Sequence, residues 1–300
     1  MDVFNTDHRS IIMENAYDLA RRAGCRCIFL FLDTFLDLAW FAQASSVENE
    51  QVVLVLPRSL SDTPDALACQ CHAVIRNWSG NQSRFSRIKY AFLQAVLDGV
   101  ISADDRVVCV LGPSGRSHLD TITIHDLSLS WSEEFPFDVR PLIDSGFINT
   151  IMAVIDIALD LGALGREGKP VGTIFVIGDS PAVLASSHQA VFNPFKGYEP
   201  AECGINRPEV VESLKEFAHL DGAIIIGADG IVEAAGRHLD SGGDTNTGRG
   251  LGARHRAASG ITVTTSAVSV VVSESTGKVT IFRAGKTIAT LEPLISRRLV

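Results

Sequence analysis

The sequence is short of positive charge: 26 lysines and arginines stand against 35 acidic residues in 300, a formal net charge of -9. A surface of that sign repels nucleic acid and anionic membrane over most of its extent, so any anion site has to be local. It also lacks an unbroken apolar run of spanning length. The most apolar region, CIFLFLDTFLDLAWFA, is interrupted by Asp33 and Asp37, whereas a membrane span needs about 20 apolar residues. The opening MDVFNTDHRS has neither the basic lead nor the long apolar stretch of a signal peptide, so a cytoplasmic location without a membrane or nucleic-acid partner is the expectation. Six cysteines are present, but Cys25 and Cys27, like Cys69 and Cys71, are separated by one residue. A four-thiolate zinc site uses roughly two to four. In CRCIFLF alternate residues share a strand face, so buried, reduced thiols are expected. A P-loop is missing too. The small-residue stretch LGPSGRSHLDT follows a strand and can present backbone N–H groups, but it lacks the P-loop spacing and lysine and reads as a surface loop.

What is present suits a globular α/β protein with ample core: 46% hydrophobic and 20% charged residues. Domains commonly take about 100–200 residues, which predicts two here. In the first half, helical patterns (IIMENAYDLARRAG, DLAWFAQAS, RFSRIKYAFLQAVLDGV) alternate with strand patterns (CRCIFLFL, QVVLVLP, CHAVIRNW, DRVVCVLG, DTITIHDL). That alternation predicts a mainly parallel α/β layer. The texture changes in WSEEFPFDVRPLIDSG, between Trp131 and Gly146, where prolines and acids interrupt the periodicity. We therefore expect domains over 1–138 and 148–300. The second half reads as a helix (FINTIMAVIDIALDLGALG), a strand (KPVGTIFVIGD), a helix (RPEVVESLKEFAHL) and two strands (DGAIIIGADG, IVEAAGRHL). SGITVTTSAV is ambiguous between helix and strand, and VSVVVSESTGKVTIFRAGKTIATL reads as a strand pair around a Thr-Gly turn. A mixed sheet flanked by helices follows. The glycine-rich tract LDSGGDTNTGRGLGARHRAA reads as a mobile loop running into a helix.

Three short stretches can carry chemistry. In GLGARHRAASG, Arg254, His255 and Arg256 stand at the start of a predicted helix. Helix N-termini expose N–H groups and partial positive charge, so added guanidinium groups repel the dipole unless an anion arrives. An anion site and a solvated basic patch both remain open on these residues alone. In LDGAIII, Asp221 precedes a buried strand, with Gly222 and Ala223 leaving room beside it. Asp221 can hold a divalent metal or accept a hydroxyl proton, or merely close a helix-to-strand turn. In VVVSESTG, Ser273 and Glu274 end an apolar strand, and Glu274 can be a second metal ligand or a hairpin end.

In this order, the DGA of Asp221, Gly222 and Ala223, the GARHRAA around Arg254, His255 and Arg256, and the VSESTG after a strand resemble the diadenylate cyclase (DAC) family. VGTIFVIGD and NPFKGY are similar to the branch whose DAC domain is C-terminal, and the resemblance runs from about Ile148 to Val300. It implies a nucleotidyltransferase that condenses two ATP molecules into the signalling nucleotide cyclic di-AMP and releases two pyrophosphates. It also implies a homo-oligomer whose DAC domains face each other and a divalent cofactor, Mn²⁺ or Mg²⁺. By the same resemblance Asp221 is catalytic and metal-binding, and Glu274 is metal-binding. Arg254, His255 and Arg256 hold phosphates and are catalytic, while Gly222, Ala223, Leu239, Ala253 and Ser273 line the nucleotide. Many members read GTRHRAA, so Ala253 removes a threonine contact, and SEST replaces the commoner SEET without changing Ser273 or Glu274. The first half, Met1 to about Asp138, resembles the C-terminal domain of pyruvate kinase, which implies a regulatory or oligomerisation module. The alternative function is a non-catalytic ATP or cyclic-dinucleotide sensor.

Overall fold

Strands covered on both faces read as continuous apolar runs, and helices lying on a sheet repeat apolar residues every three or four positions. Both patterns are met in the computed structural model, which describes residues 8–43, 51–60, 71–77, 82–129, 137–240 and 252–293. The chain divides into two compact units, Met1–Phe135 and Pro136–Val300.

In the first unit, β1 (Cys27–Phe31), β2 (Val52–Pro57), β3 (Ala73–Asn77), β4 (Arg106–Leu111) and β5 (Thr121–Asp126) form one sheet in the order β3-β2-β1-β4-β5. Only β5 runs antiparallel to its neighbour. All of β1 is buried, and the helix His8–Ala23 buries Met13, Ala16, Tyr17 and Ala20 on one stripe. Helices Phe35–Gln43 and Arg84–Leu97 complete the layer. Of the closely spaced cysteines Cys27 is buried, as the strand pattern suggests, while Cys71 is half-buried; burial pushes the Cys27 thiol up to about 12. Cys25 lies just before β1 rather than within it and is half-buried, and Cys69 lies outside the described residues.

Beyond the C-terminal ends of β1 and β4 a buried ion pair fixes the chain. Arg87 donates to Asp33 at 2.6 Å and to the Gly112 carbonyl at 3.2 Å. The Gly115 N–H donates to Asp33 at 2.9 Å, and the Ser117 hydroxyl donates to the buried Asp37. Burial raises the Asp33 carboxyl above its usual range against the pull of Arg87, and lowers Arg87 against the pull of Asp33. Desolvation therefore outweighs the mutual attraction. The LGPSGRSHLDT loop is held by these carboxylates, with the Gly115 N–H turned onto Asp33 rather than outward.

The second unit contains β6 (Thr173–Ile177), β7 (Ser187–Gln189), β8 (Ala223–Ile226), β9 (Val232–Leu239), β10 (Val268–Val272), β11 (Val279–Arg283) and β12 (Lys286–Leu291). Their order is β12-β11-β10-β6-β8-β9-β7, and β6 and β8 are the parallel neighbours in an otherwise antiparallel sheet. Helix Ile148–Leu164 packs on β10 and β11, and helix Ala253–Thr264 packs on β6, β9, β10 and β11. Both β6 and β10 are consequently buried throughout. The ambiguous SGITVTTSAV resolves into the end of that helix and the start of β10. The last stretch holds three strands rather than a pair, because Ala284 and Gly285, both at positive φ, turn β11 into β12. Helix Ser180–Ala185 and strand β7 are too short to leave a periodic trace in sequence.

Candidate nucleotide site

Sheet direction explains why residues 221, 254 and 274 meet. β10 is antiparallel to β6 while β8 is parallel to it, with Val272 opposite Thr173 and Ile174 opposite Ala223. The C-terminal end of β10 and the N-terminal ends of β6 and β8 therefore form one rim. Asp221 stands just before β8, and Ser273 and Glu274 just after β10. They line a common open cleft of about 1160 Å³ with Gly252, Ala253, Arg254 and His255. Lys278, Thr280, Thr287 and Thr290 form its far side.

The helix Ala253–Thr264 enters the cleft with Gly252 as its N-cap, no side-chain cap and no acidic residue in its first turn. Its first N–H groups are thus left for a ligand. Arg254 donates to Glu274 at 2.8 Å. That pair fits only because residue 172 has no side chain. A Cβ there would lie 2.7 Å from Arg254 Nη1 and 2.7 Å from the Glu274 Cβ. Gly172 was not singled out from sequence; its signal is a glycine one residue before a buried strand whose neighbour ends in the SE pair. His255 packs edge-on against Phe282, centroids 6.1 Å apart. Burial lowers its pKa from the ordinary imidazole value, which favours the neutral form.

Asp221 is 81% exposed, and His238 Nε2 lies 3.5 Å from its Oδ2. Gly222 has φ +111, and a Cβ on it would meet the Arg237 nitrogen and the Gly236 carbonyl carbon at 2.7 Å. The close backbone approach allowed by this glycine is therefore to β9. Ala223 and Leu239 pack in the core cluster beneath helix Ala253–Thr264 and are not among the cleft-lining residues. Arg256 is exposed on that helix and likewise does not line the cleft. Arg237 is engaged elsewhere, donating to the Leu184 carbonyl at 2.8 Å and the Ser187 hydroxyl at 2.9 Å, which ties β7 to β9. The glycine-rich tract 241–251 lies outside the described residues.

The donor set suits a substrate-shared cation. Among the described residues no cluster of three or more His, Cys, Asp or Glu side chains forms a metal cage. Two carboxylates, Asp221 and Glu274, line the cleft. Mg²⁺ is commonly bound by one or two carboxylates with substrate phosphates and water completing its shell. Among the described residues, no helix is long and apolar enough to cross a membrane.

Residues 161–287 match the family model described as "DisA bacterial checkpoint controller nucleotide-binding", and residues 8–131 match "Probable sensor domain DacZ_P". The chain is 35% identical over 207 residues to a diadenylate cyclase of Methanocaldococcus jannaschii, covering 69% of this chain and 66% of that protein. It is 32% identical over 208 residues to a diadenylate cyclase of Haloferax volcanii, covering 69% of this chain and 75% of that one. A crystal structure of a DacA double mutant from Staphylococcus aureus is 25% identical and covers 49% of this chain and 87% of its own, with a TM-score of 0.30. By the identity and coverage of these relatives, this chain belongs to the diadenylate cyclase family.

Proposed function

We propose that the protein condenses two ATP molecules into cyclic di-AMP and two pyrophosphates. The observation that carries the reading is the convergence of Asp221, Arg254 and Glu274 on one rim of the second unit's sheet. Asp221, exposed at the mouth of β8, accepts the proton of the ribose 3'-hydroxyl. The freed oxygen bonds to the α-phosphorus of the ATP held by a facing protomer, and the bond from that phosphorus to the pyrophosphate oxygen breaks. A second transfer in the opposite sense closes the ring. Arg254 and the uncapped N–H groups hold the phosphates in line, and neutral His255 adds a hydrogen bond without further repulsion. Mn²⁺ or Mg²⁺, held by Asp221, Glu274 and the phosphates, would supply charge neutralisation.

Each cleft contains one set of these groups, so the reaction needs a homo-oligomer with paired clefts. The residue set 148–300 forms the cyclase domain in this reading. The N-terminal residues 1–138 regulate it or assemble it, and the site of action is cytoplasmic. Incubating the full chain with ATP and either metal, and identifying the product by mass, tests the activity. Asp221→Asn should abolish product while leaving calorimetric ATP affinity within a factor of about three, since a carboxamide keeps the shape and loses the base. An active Asp221→Asn protein removes that residue from the chemistry, and tight ATP binding by the parent without any product makes the protein a sensor instead.

A further inference from the structure

The NPFKGY stretch takes no part in the nucleotide cleft. It follows β7, the outermost strand of the second unit's sheet, which covers β9 only from Leu239 to Arg237. Beyond that point the chain itself closes the outer edge of β9. The Ala190 N–H donates to the Gly236 carbonyl at 3.0 Å. Asn193 then acts as a peptide group: its Nδ2 donates to the Glu233 carbonyl at 2.9 Å and its Oδ1 accepts from the Ala235 N–H at 3.3 Å. The same Oδ1 accepts from the Phe195 N–H at 3.1 Å, and the Phe195 ring packs edge-on against Phe217, centroids 5.6 Å apart. The loop is thus fastened at both ends, and this stretch of β9 is shut to a further strand.

Fastening the loop leaves its apolar residues in water. Ala190, Val191 and Phe192 are all exposed, and Phe192 is 100% exposed. Three consecutive exposed apolar residues are unfavourable in a fold unless they serve a contact. Beside them lies an open cavity of about 600 Å³, lined also by Lys196 and Arg237. The charges around this patch are unmatched within the chain. Among the described residues neither Lys196 nor Glu233, whose carbonyl holds Asn193, takes part in an ion pair, and both are exposed. One loop therefore presents an aromatic knob, a cavity beside it, a cation and an anion.

We propose that this patch is a contact between two copies of the chain related by a two-fold axis. Phe192 of each copy fills the cavity of the other, and Lys196 of each meets Glu233 of the other. A two-fold contact sets one surface against itself, so that surface has to carry its own complement. Knob with cavity and cation with anion supply it, and they let two chains of net charge -9 meet without like charges opposed at the contact. The patch lies along the sheet edge, and its residues do not line the cleft at the strand ends. The pairing is therefore additional to the cleft-to-cleft contact of the proposed reaction and stands whether or not the protein is a cyclase. An aromatic side chain buries about 150–250 Å², against about 800 Å² per partner in a standard interface, so the pairing is reversible and depends on concentration.

The test is sedimentation velocity over a concentration series on the full chain, for the parent, Phe192→Ala, Lys196→Glu and Glu233→Lys. Whatever the size of the parent assembly, the step to read is a halving of its mass. Phe192→Ala should raise the dissociation constant of that step at least about thirtyfold, the loss of a central aromatic anchor. Its thermal transition should not move, because the ring is fully exposed. Each charge reversal sets like charges across the axis and should weaken the pairing at least about tenfold. An equimolar mixture of Lys196→Glu and Glu233→Lys should restore it, since a mixed pair has opposite charges at both contacts. A parent that stays monomeric at every soluble concentration overturns the proposal and leaves the patch to a different protein. Variants that associate as the parent does also overturn it, as do charge reversals that mixing fails to rescue.

Discussion

Gly172→Ala is the sharpest test of how the site is assembled. The glycine has no left-handed φ, so alanine suits its backbone, and the whole effect comes from the added methyl group. That methyl would lie 2.7 Å from Arg254 Nη1, 2.7 Å from the Glu274 Cβ and 3.1 Å from the Glu274 nitrogen. Ordinary contacts are about 3.5–4.0 Å, so Arg254 and the end of β10 must each retreat by about 1 Å. A displacement of about 1 Å in a positioning group costs on the order of 100-fold in rate. Stability should barely register it. The Arg254–Glu274 pair is 41% and 59% exposed, and such pairs contribute about 0–1 kcal/mol, equivalent to about 2–4 °C in Tm for a unit of this size. Cyclic di-AMP formation at saturating ATP should therefore fall about 100-fold while the thermal transition moves by a few degrees. Wild-type turnover would show that Arg254 and Glu274 need not touch at this spacing for catalysis. A collapse of Tm in step with activity would show that the glycine serves packing alone.

Two further outcomes concern the first unit. Asp33→Ala removes the carboxylate that balances the buried Arg87 charge and should destabilise that unit by about 3–5 kcal/mol, whereas the apolar pair Asp33→Leu with Arg87→Met should recover most of the loss. Denaturant titration reads both, and a double variant no better than the single one refutes the desolvation argument. His125 is lowered to about 4 by burial, so between pH 6.5 and 4 the unfolded chain takes up a proton that the folded one refuses. Stability is full above pH 6.5 and should fall by up to about 3 kcal/mol as pH drops through that window. His125→Gln should flatten this dependence, and an unchanged slope in the variant places its origin elsewhere.

Much of the architecture is legible in sequence because burial writes itself into composition. VVLVL and CIFLF can only be strands covered on both faces, and the apolar stripe of IIMENAYDLARRAG can only be a helix on a layer. The site is legible as motifs but not as an assembly. Asp221, Arg254 and Glu274 are separated by up to 53 positions in sequence, and only the antiparallel placing of β10 beside β6 brings them to one rim. Gly172 was invisible for the same reason: it matters through a residue 82 positions away. Gly222 shows the converse. Its need for glycine was readable, but the partner is β9 backbone, which no local pattern names.

The helix that begins at Ala253 opens with two arginines, no acid and no side-chain cap. Each cation near a helix N-terminus costs about 0.3–1 kcal/mol until an anion offsets it. The Glu274 carboxylate already offsets Arg254, and the phosphates of the proposed nucleotide would add to that stabilisation. At about one hundred times its dissociation constant a ligand adds about 2.7 kcal/mol to the folded state, so under the proposed function nucleotide supply would set how many copies survive proteolytic surveillance as well as how fast each works. On the proposed function, depletion of ATP would thin the population of the protein as well as slow its turnover.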